Sequence, residues 1–287
     1  MNRLSIEARA KILGCMVEGN SVRAISRLTG ADKKTVLRLL GEFGSACQRF
    51  HDETVRNVKS RRVQCDETWS FVYSKANNVP EQCRGVFGFG DVWTWTALCA
   101  DTKLILAYRV DRRDEEAAYA FIHDLRARLA NRVQLTSDGY RAYLQAVEDA
   151  FGNDVDFAQL VKLYATPKGE GNERRYSPSE CCGARKRKVI GAPVRRDIST
   201  SYVERMNLNM RMGMRRFTRL TNAFSKKVEN HIHALAVYFM YYNFGRIHQT
   251  LRVTPAMEAG LTDHVWSLEE IVALAEPAKS TELSEIA

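Results

Sequence analysis

A chain of 287 residues that is 45% apolar and 27% charged has the composition of a globular protein, with length for one medium domain beside a small one. Its formal charge of +9 is localised, because residues 185–227 hold thirteen Lys or Arg against two acids, an excess of +11; that points to a polyanion partner, with a solvated basic face as the plain alternative. The most apolar run, HALAVYFMYYNF, is too short and too closely flanked by charge to span a bilayer, and seven scattered cysteines with no Cys-x-x-Cys pair exclude a zinc module and point to reduced thiols in a cytoplasmic setting.

Residues 5–43 read as three short helices. SIEARAKILGCMVEG sets Ala8, Ile12 and Cys15–Met16 on one stripe before Gly19. Ser21 can cap VRAISRLTG, with Ile25 and Leu28 inward, and Gly30 supplies a turn. Asp32 can cap a third helix, KKTVLRLLGEF, whose outer face carries Lys33, Lys34, Thr35 and Arg38. Two short helices on a glycine turn with a cationic second helix suggest a helix-turn-helix over residues 1–45, a packing hairpin being the alternative. Residues 46–60 are expected as a polar linker.

From Arg61 the pattern becomes strand-like. RVQCDETWSFVY, DVWTWTALCAD and KLILAYRVD predict three strands, the last two joined by a short turn and so antiparallel. An amphipathic helix is expected from Asp114 to about Ala130, with Glu115 and Glu116 at its start and Arg126 and Arg128 at its end, as the helix dipole favours. RVQLTSDG is a fourth strand, YRAYLQAVEDAF a helix and DFAQLVKLYA a fifth strand. The stretch 166–200, rich in Pro and Gly, reads as a basic loop insertion carrying Arg185, Lys186, Arg187 and Lys188. A helix is expected from Ser201 to about Leu220 and another from about Ser225 to Phe244, the latter opening a C-terminal helical segment, 223–287. This order predicts an α/β domain over 61–222 built on a mixed sheet with flanking helices.

Three carboxylates stand out along that order. Asp66 sits inside the first strand. Alternation puts Gln64, Asp66 and Thr68 on one face and Glu67 on the other, so Asp66 and Glu67 are not expected to share a site. Asp138 ends the fourth strand, either as a turn residue or as a ligand at a strand end. Glu204 lies in the basic segment, where it either closes a capping box with Ser201 or holds a cation. Glu204, Leu208, Arg211 and Arg215, at spacings of four, seven and eleven, fall on one helical face. Three carboxylates can hold a pair of hard divalent ions beside a phosphodiester, with the cations below tracking the backbone. Trp93 and Trp95 point to one face of a strand as core residues. His231 and His233 read as packing or surface histidines.

The segments CDETW, TSDGYRAY and TSYVERMNLNMR, whose acids lie 72 and 66 residues apart, resemble the Asp, Asp, Glu triad of bacterial insertion-sequence transposases. The continuation MRRFTRLTNAFSKKVENH and the block YYNFGRIHQTLRVTPAMEAG are similar to transposases of the insertion-sequence-one type, and the resemblance spans about residues 20–275. It implies a ribonuclease H-like core preceded by the helix-turn-helix, and cut-and-join chemistry at the ends of a mobile element. It also implies Mg²⁺ or Mn²⁺ as a pair of ions on Asp66, Asp138 and Glu204, which would be the catalytic acids. Arg211 matches a basic residue that many such enzymes place seven positions after the glutamate. Arg246 and His248 lie in the C-terminal block, and with Arg215 and the cations named above they are the expected DNA contacts. The partners implied are double-stranded DNA, at element ends and target, and further copies of the chain on that DNA, in a bacterial nucleoid. One departure is that no zinc module precedes the helix-turn-helix. A non-catalytic DNA-binding regulator on the same frame, or a ribonuclease H-like nuclease without joining activity, are the rival expectations.

Overall fold

The computed structural model describes residues 3–164, 181–218 and 223–276. Three helices open the chain: α1 (Ile6–Val17), α2 (Val22–Thr29) and α3 (Lys33–Thr54). Each begins where a short polar side chain accepts an otherwise orphaned amide, Ser5 from Ala8, Ser21 from Ala24 and Asp32 from Lys34. Gly30 ends α2 in the left-handed conformation, at φ 73°, a turn that glycine makes without strain. The polar linker expected at 46–60 is mostly absent, because α3 runs on to Thr54. The physical reason is that Phe43, Ala46, Cys47 and His51 continue its buried stripe. There α3 packs on α7 (Val228–Met240), close enough that a Cβ at Gly44 would lie 2.3 Å from the Cβ of His233.

The sheet has six strands: β1 (Arg62–Val72), β2 (Gly90–Cys99), β3 (Ile105–Asp111), β4 (Val133–Asp138), β5 (Val155–Tyr164) and β6 (Cys181–Ile190). Their spatial order is β3-β2-β1-β4-β5-β6. An antiparallel meander, β1 to β3, is joined to parallel β4 and β5 by α4 (Glu115–Arg128) and α5 (Ala142–Phe151), which makes the topology ribonuclease H-like. The central strands are almost wholly buried, so the polar side chains of β1, among them Gln64, Glu67 and Thr68, are buried with them.

Two expectations fail here. The basic loop is in part a strand, β6, antiparallel to β5, while residues 166–180 of that expected loop lie outside the described residues. β6 lacks a hydrophobic alternation because it is a sheet edge with mostly solvated faces, so period-2 patterning had nothing to register. The helix expected at 201–220 stops at Gly213. This helix, α6 (Ser201–Gly213), is followed by a 3₁₀ turn at Arg215–Phe217, so Arg215 leaves the face that carries Glu204.

The C-terminal part closes on the N-terminal helices. A π-helical turn, Tyr241–Gly245, follows α7, and short helices α8 (Pro255–Glu258) and α9 (Leu268–Ala273) follow in turn. Phe50 of α3 stacks against Phe244 and Trp266 at 5.3 and 4.9 Å, and Arg3 pairs with Glu276 at 2.7 Å. His231 is fully buried between the hydroxyls of Ser70 and Ser225, while His233 lies against Ser45 at 3.3 Å. Trp95 is core, its indole donating to the Arg112 carbonyl at 3.0 Å; Trp93 is only half-buried and faces the Arg113 guanidinium. No helix among the described residues is long and apolar enough to cross a membrane.

Candidate active site

Asp66 and Asp138 are brought together because β1 and β4 are parallel neighbours, so their C-terminal ends open on the same side. Glu67 joins them: one carboxylate oxygen from each of Asp66, Glu67 and Asp138 lies within 4.8 Å of the others. This overturns the expectation that Asp66 and Glu67 would not share a site. Alternation itself holds, since β1 pairs with β2 without a break through Asp66–Thr96 and Glu67–Trp95, but Asp138 ends β4 and its carboxylate comes within reach of both. Arg113 then draws Glu67 in, with its guanidinium 3.1 Å from Glu67 Oε2 and 3.7 Å from Asp138 Oδ2. Arg113 is itself seated over the Tyr140 ring at 4.0 Å.

The cluster carries more negative charge than its surroundings solvate. Burial pushes Asp66 up to about 7, and the charges of Asp138 and Glu204 push the same way. Glu67 is likewise raised to about 7 by burial, then by Asp138, against the pull of Arg113. Its Oε1 is buried without a hydrogen bond; the Tyr143 hydroxyl stands beside it but outside bonding geometry. Asp138 Oδ1 accepts the Tyr140 amide at 2.9 Å, which is the turn role expected of it.

Glu204 arrives on α6. The first amides of that helix, Tyr202 and Val203, donate to Gln64 Oε1 of β1 at 2.8 and 3.1 Å, so a strand side chain caps the helix and fixes it against the sheet. Val203, Met206 and Met210 form its buried stripe. Glu204 makes no capping box: Thr200 is the N-cap residue, and its hydroxyl donates to Glu204 Oε1. The other carboxylate oxygen is 2.7 Å from Lys162 Nζ on β5. Glu204 therefore stands outside the three-carboxylate cluster, although its charge reaches Asp66. One turn on, the Asn207 amide donates to Asp66 Oδ2 at 2.7 Å, and its Oδ1 is buried without a partner.

Four residues of this constellation escaped sequence reasoning: Glu67, Arg113, Lys162 and Asn207. Only Asn207 left a signal, as a polar residue three positions from Glu204 and hence on the same helical flank. An all-oxygen donor set, an orphaned buried oxygen and two carboxylates raised by burial and then by the charge of Asp138 fit a hard divalent cation.

The expected DNA contacts are dispersed. Lys33, Lys34 and Arg38 are exposed on α3 and Thr35 is half-buried; Arg38 pairs with Glu42 at 2.5 Å. On β6, alternation separates Arg185 and Arg187 from Lys186 and Lys188, and Lys186 donates to the Arg195 carbonyl at 2.9 Å. Arg211 is half-buried at the end of α6, while Arg215 and Arg246 are exposed and His248 is half-buried.

No protein-family model and no curated protein matches the chain. Among solved structures it is similar to the Mos1 strand transfer complex, at 11% identity and a TM-score of 0.24, over 55% of this chain and 59% of that one. It is similar also to the Mos1 transposase paired-end complex with the left transposon end, at 11% identity and a TM-score of 0.23, over 55% and 60% of the two chains. The Mos1 mariner paired-end complex with Mn matches at 12% identity and a TM-score of 0.23, over 52% and 57%. The chain thus covers less than two thirds of each of these proteins, and likeness at this level assigns neither activity nor partner.

Proposed function

We propose that the chain is a DNA transposase of the Asp, Asp, Glu kind, of the insertion-sequence-one type, cutting phosphodiesters at element ends and joining the freed 3′ hydroxyl to target DNA. The observation that carries this reading is the convergence of Asp66, inside β1, and Asp138, at the end of neighbouring β4, into one under-neutralised carboxylate cluster, with Glu204 within electrostatic reach.

Asp66, Asp138 and Glu204 would hold the divalent cations, two ions of Mg²⁺ or Mn²⁺. Such ions supply Lewis-acid activation of the attacking and leaving oxygens of an in-line displacement. Glu204 is favoured over Glu67 as the third ligand. The Glu67 side chain is only 1% exposed and committed to Arg113, whereas Glu204 is 36% exposed and held by Lys162 and the Thr200 hydroxyl. Asn207 keeps the Asp66 carboxylate oriented. Arg113 neutralises Glu67 and steadies Asp138. Lys162 holds Glu204 while no cation competes for it. Lys33, Lys34 and Thr35 would read the terminal repeat from α3, and the cations of β6 with Arg211 and Arg215 would contact phosphates. Two element ends must be held together, so the active species is an oligomer on DNA.

The test is a Mg²⁺-dependent nicking and joining assay on duplexes carrying the DNA that flanks the gene. Asp66→Ala and Glu204→Ala should each abolish both steps while DNA affinity stands. Retained function in both variants would favour a non-catalytic regulator. Cleavage without joining would favour a plain nuclease.

A further inference from the structure

Beside α6, away from the carboxylates, lies a cavity of about 370 Å³ that gathers two of the expected DNA contacts, Arg246 and His248, with residues the sequence did not single out. Its walls include Lys103 from the β2–β3 turn, Tyr202, Arg205 and Asn209 from α6, and Arg246 and His248 from the segment after α7. At 100° per residue, Tyr202, Arg205 and Asn209 share one flank of the helix, and Glu204, Asn207 and Arg211 lie about half a turn away on the other. The cavity and the carboxylate cluster therefore sit on opposite sides of one helix.

The lining has the chemistry of an anion site. Three cations and a histidine meet there, and among the described residues no carboxylate lines the wall. Arg205 and Arg246 are exposed and neither has a carboxylate partner among the described residues. Lys103 is held in place, its ammonium donating to the Ala100 carbonyl and lying 3.7 Å over the Tyr202 ring. His248 Nδ1 is engaged by the Thr250 hydroxyl at 3.1 Å, which leaves Nε2 to face a ligand. Two arginines in reach of one concave site suit a phosphate, whose oxygens accept paired N–H donors.

We propose that this cavity is a phosphate subsite that takes a backbone phosphate of a DNA strand crossing the outer face of α6. The phosphate chemistry follows from the lining alone; that the phosphate belongs to DNA rests on the function proposed above. An exposed aromatic ring, Tyr202, borders the site and offers an unpaired base a stacking surface.

The experiment measures equilibrium binding of a fluorescent oligonucleotide to the full chain in EDTA, across a salt series, so that catalysis plays no part in the readout. Arg205→Gln and Arg246→Gln should each lower the slope of log affinity against log salt by roughly 0.7–0.9. Arg84→Gln, an exposed arginine elsewhere, should leave the slope unchanged. Thermal melts confirm that each variant is folded. Unchanged slopes for both pocket variants, or an equal loss in Arg84→Gln, overturn the proposal. In a second arm, inorganic phosphate is titrated while the His248 ring resonances are followed. Movement of those resonances with no change in the DNA slopes would mark a small-anion site and overturn the assignment to DNA.

Discussion

The Asn207 amide reaches across from α6 to Asp66 Oδ2 on β1 at 2.7 Å, and it ties the helix that carries Glu204 to the strand that carries the first acid. Because Asn207 is 3% exposed and Asp66 is raised to about 7, the bond is made in a poorly solvated place where orientation counts. Asn207→Leu should lower Mg²⁺-dependent strand cleavage by about 10- to 100-fold, the range for residues that orient a metal ligand, with DNA affinity kept. A variant cleaving at the wild-type rate would remove Asn207 from the site.

Lys162 and Glu204 form the second cross-element pair. Glu204→Gln should lower cleavage by more than about 100-fold, exceeding the effect of a residue that only orients a ligand. Lys162→Met releases one Glu204 oxygen, leaves the Thr200 hydroxyl on the other, and should cost less than Glu204→Gln. Single-turnover rates on nicked and intact duplexes decide the order; the reverse order would make Lys162, not Glu204, the group that matters.

Cation binding should show as stability. With Asp66 and Glu67 both raised to about 7, the metal-free folded state binds more protons than the unfolded chain between about pH 4 and 7. These groups therefore favour folding below that window and lose that contribution as pH rises through about 7. Under the proposed function Mg²⁺ takes the ionised carboxylates, so it should raise Tm more at pH 8 than at pH 5, and Asp66→Asn should abolish most of that difference. Differential scanning fluorimetry at the two pH values reads this directly.

His231 sets the opposite slope. Burial, reinforced by Arg216, pushes it down to about 3, so the unfolded state takes up a proton that the folded state refuses. Stability from this residue is present above about pH 6.5 and falls by about 1.4 kcal/mol per pH unit as acid is added towards 3. His231→Gln should flatten the acid limb of the urea-midpoint profile while lowering the midpoint at pH 7.

Gly44 is where α3 meets α7 at closest approach. A methyl there would lie 2.3 Å from the His233 Cβ and 2.5 Å from its Cα, so backbone and not merely a side chain must move. Gly44→Ala should destabilise the protein by about 3 kcal/mol or more, at the upper end for overpacking, as read from urea unfolding.

Periodicity and turn chemistry were enough to place helices α1, α2, α4 and α5 and strands β1 to β5 in order, since each announces itself through local spacing of apolar residues and caps such as Ser21, Asp32 and Asp114. The acids at 66, 138 and 204 were also visible, as carboxylates where the local pattern did not ask for charge. What the chain could not disclose from local pattern was pairing at a distance. β6 exists only because β5 offers it an edge. α3 is long because α7 covers its second half. Glu67 belongs beside Asp66 because Asp138, at the end of β4, lies within reach of both and Arg113 draws the Glu67 carboxylate towards it. Helix and strand identity depends on neighbours within a few residues, whereas the company a carboxylate keeps depends on contacts between segments some 40 to 140 residues apart along the chain, and only the folded sheet decides those.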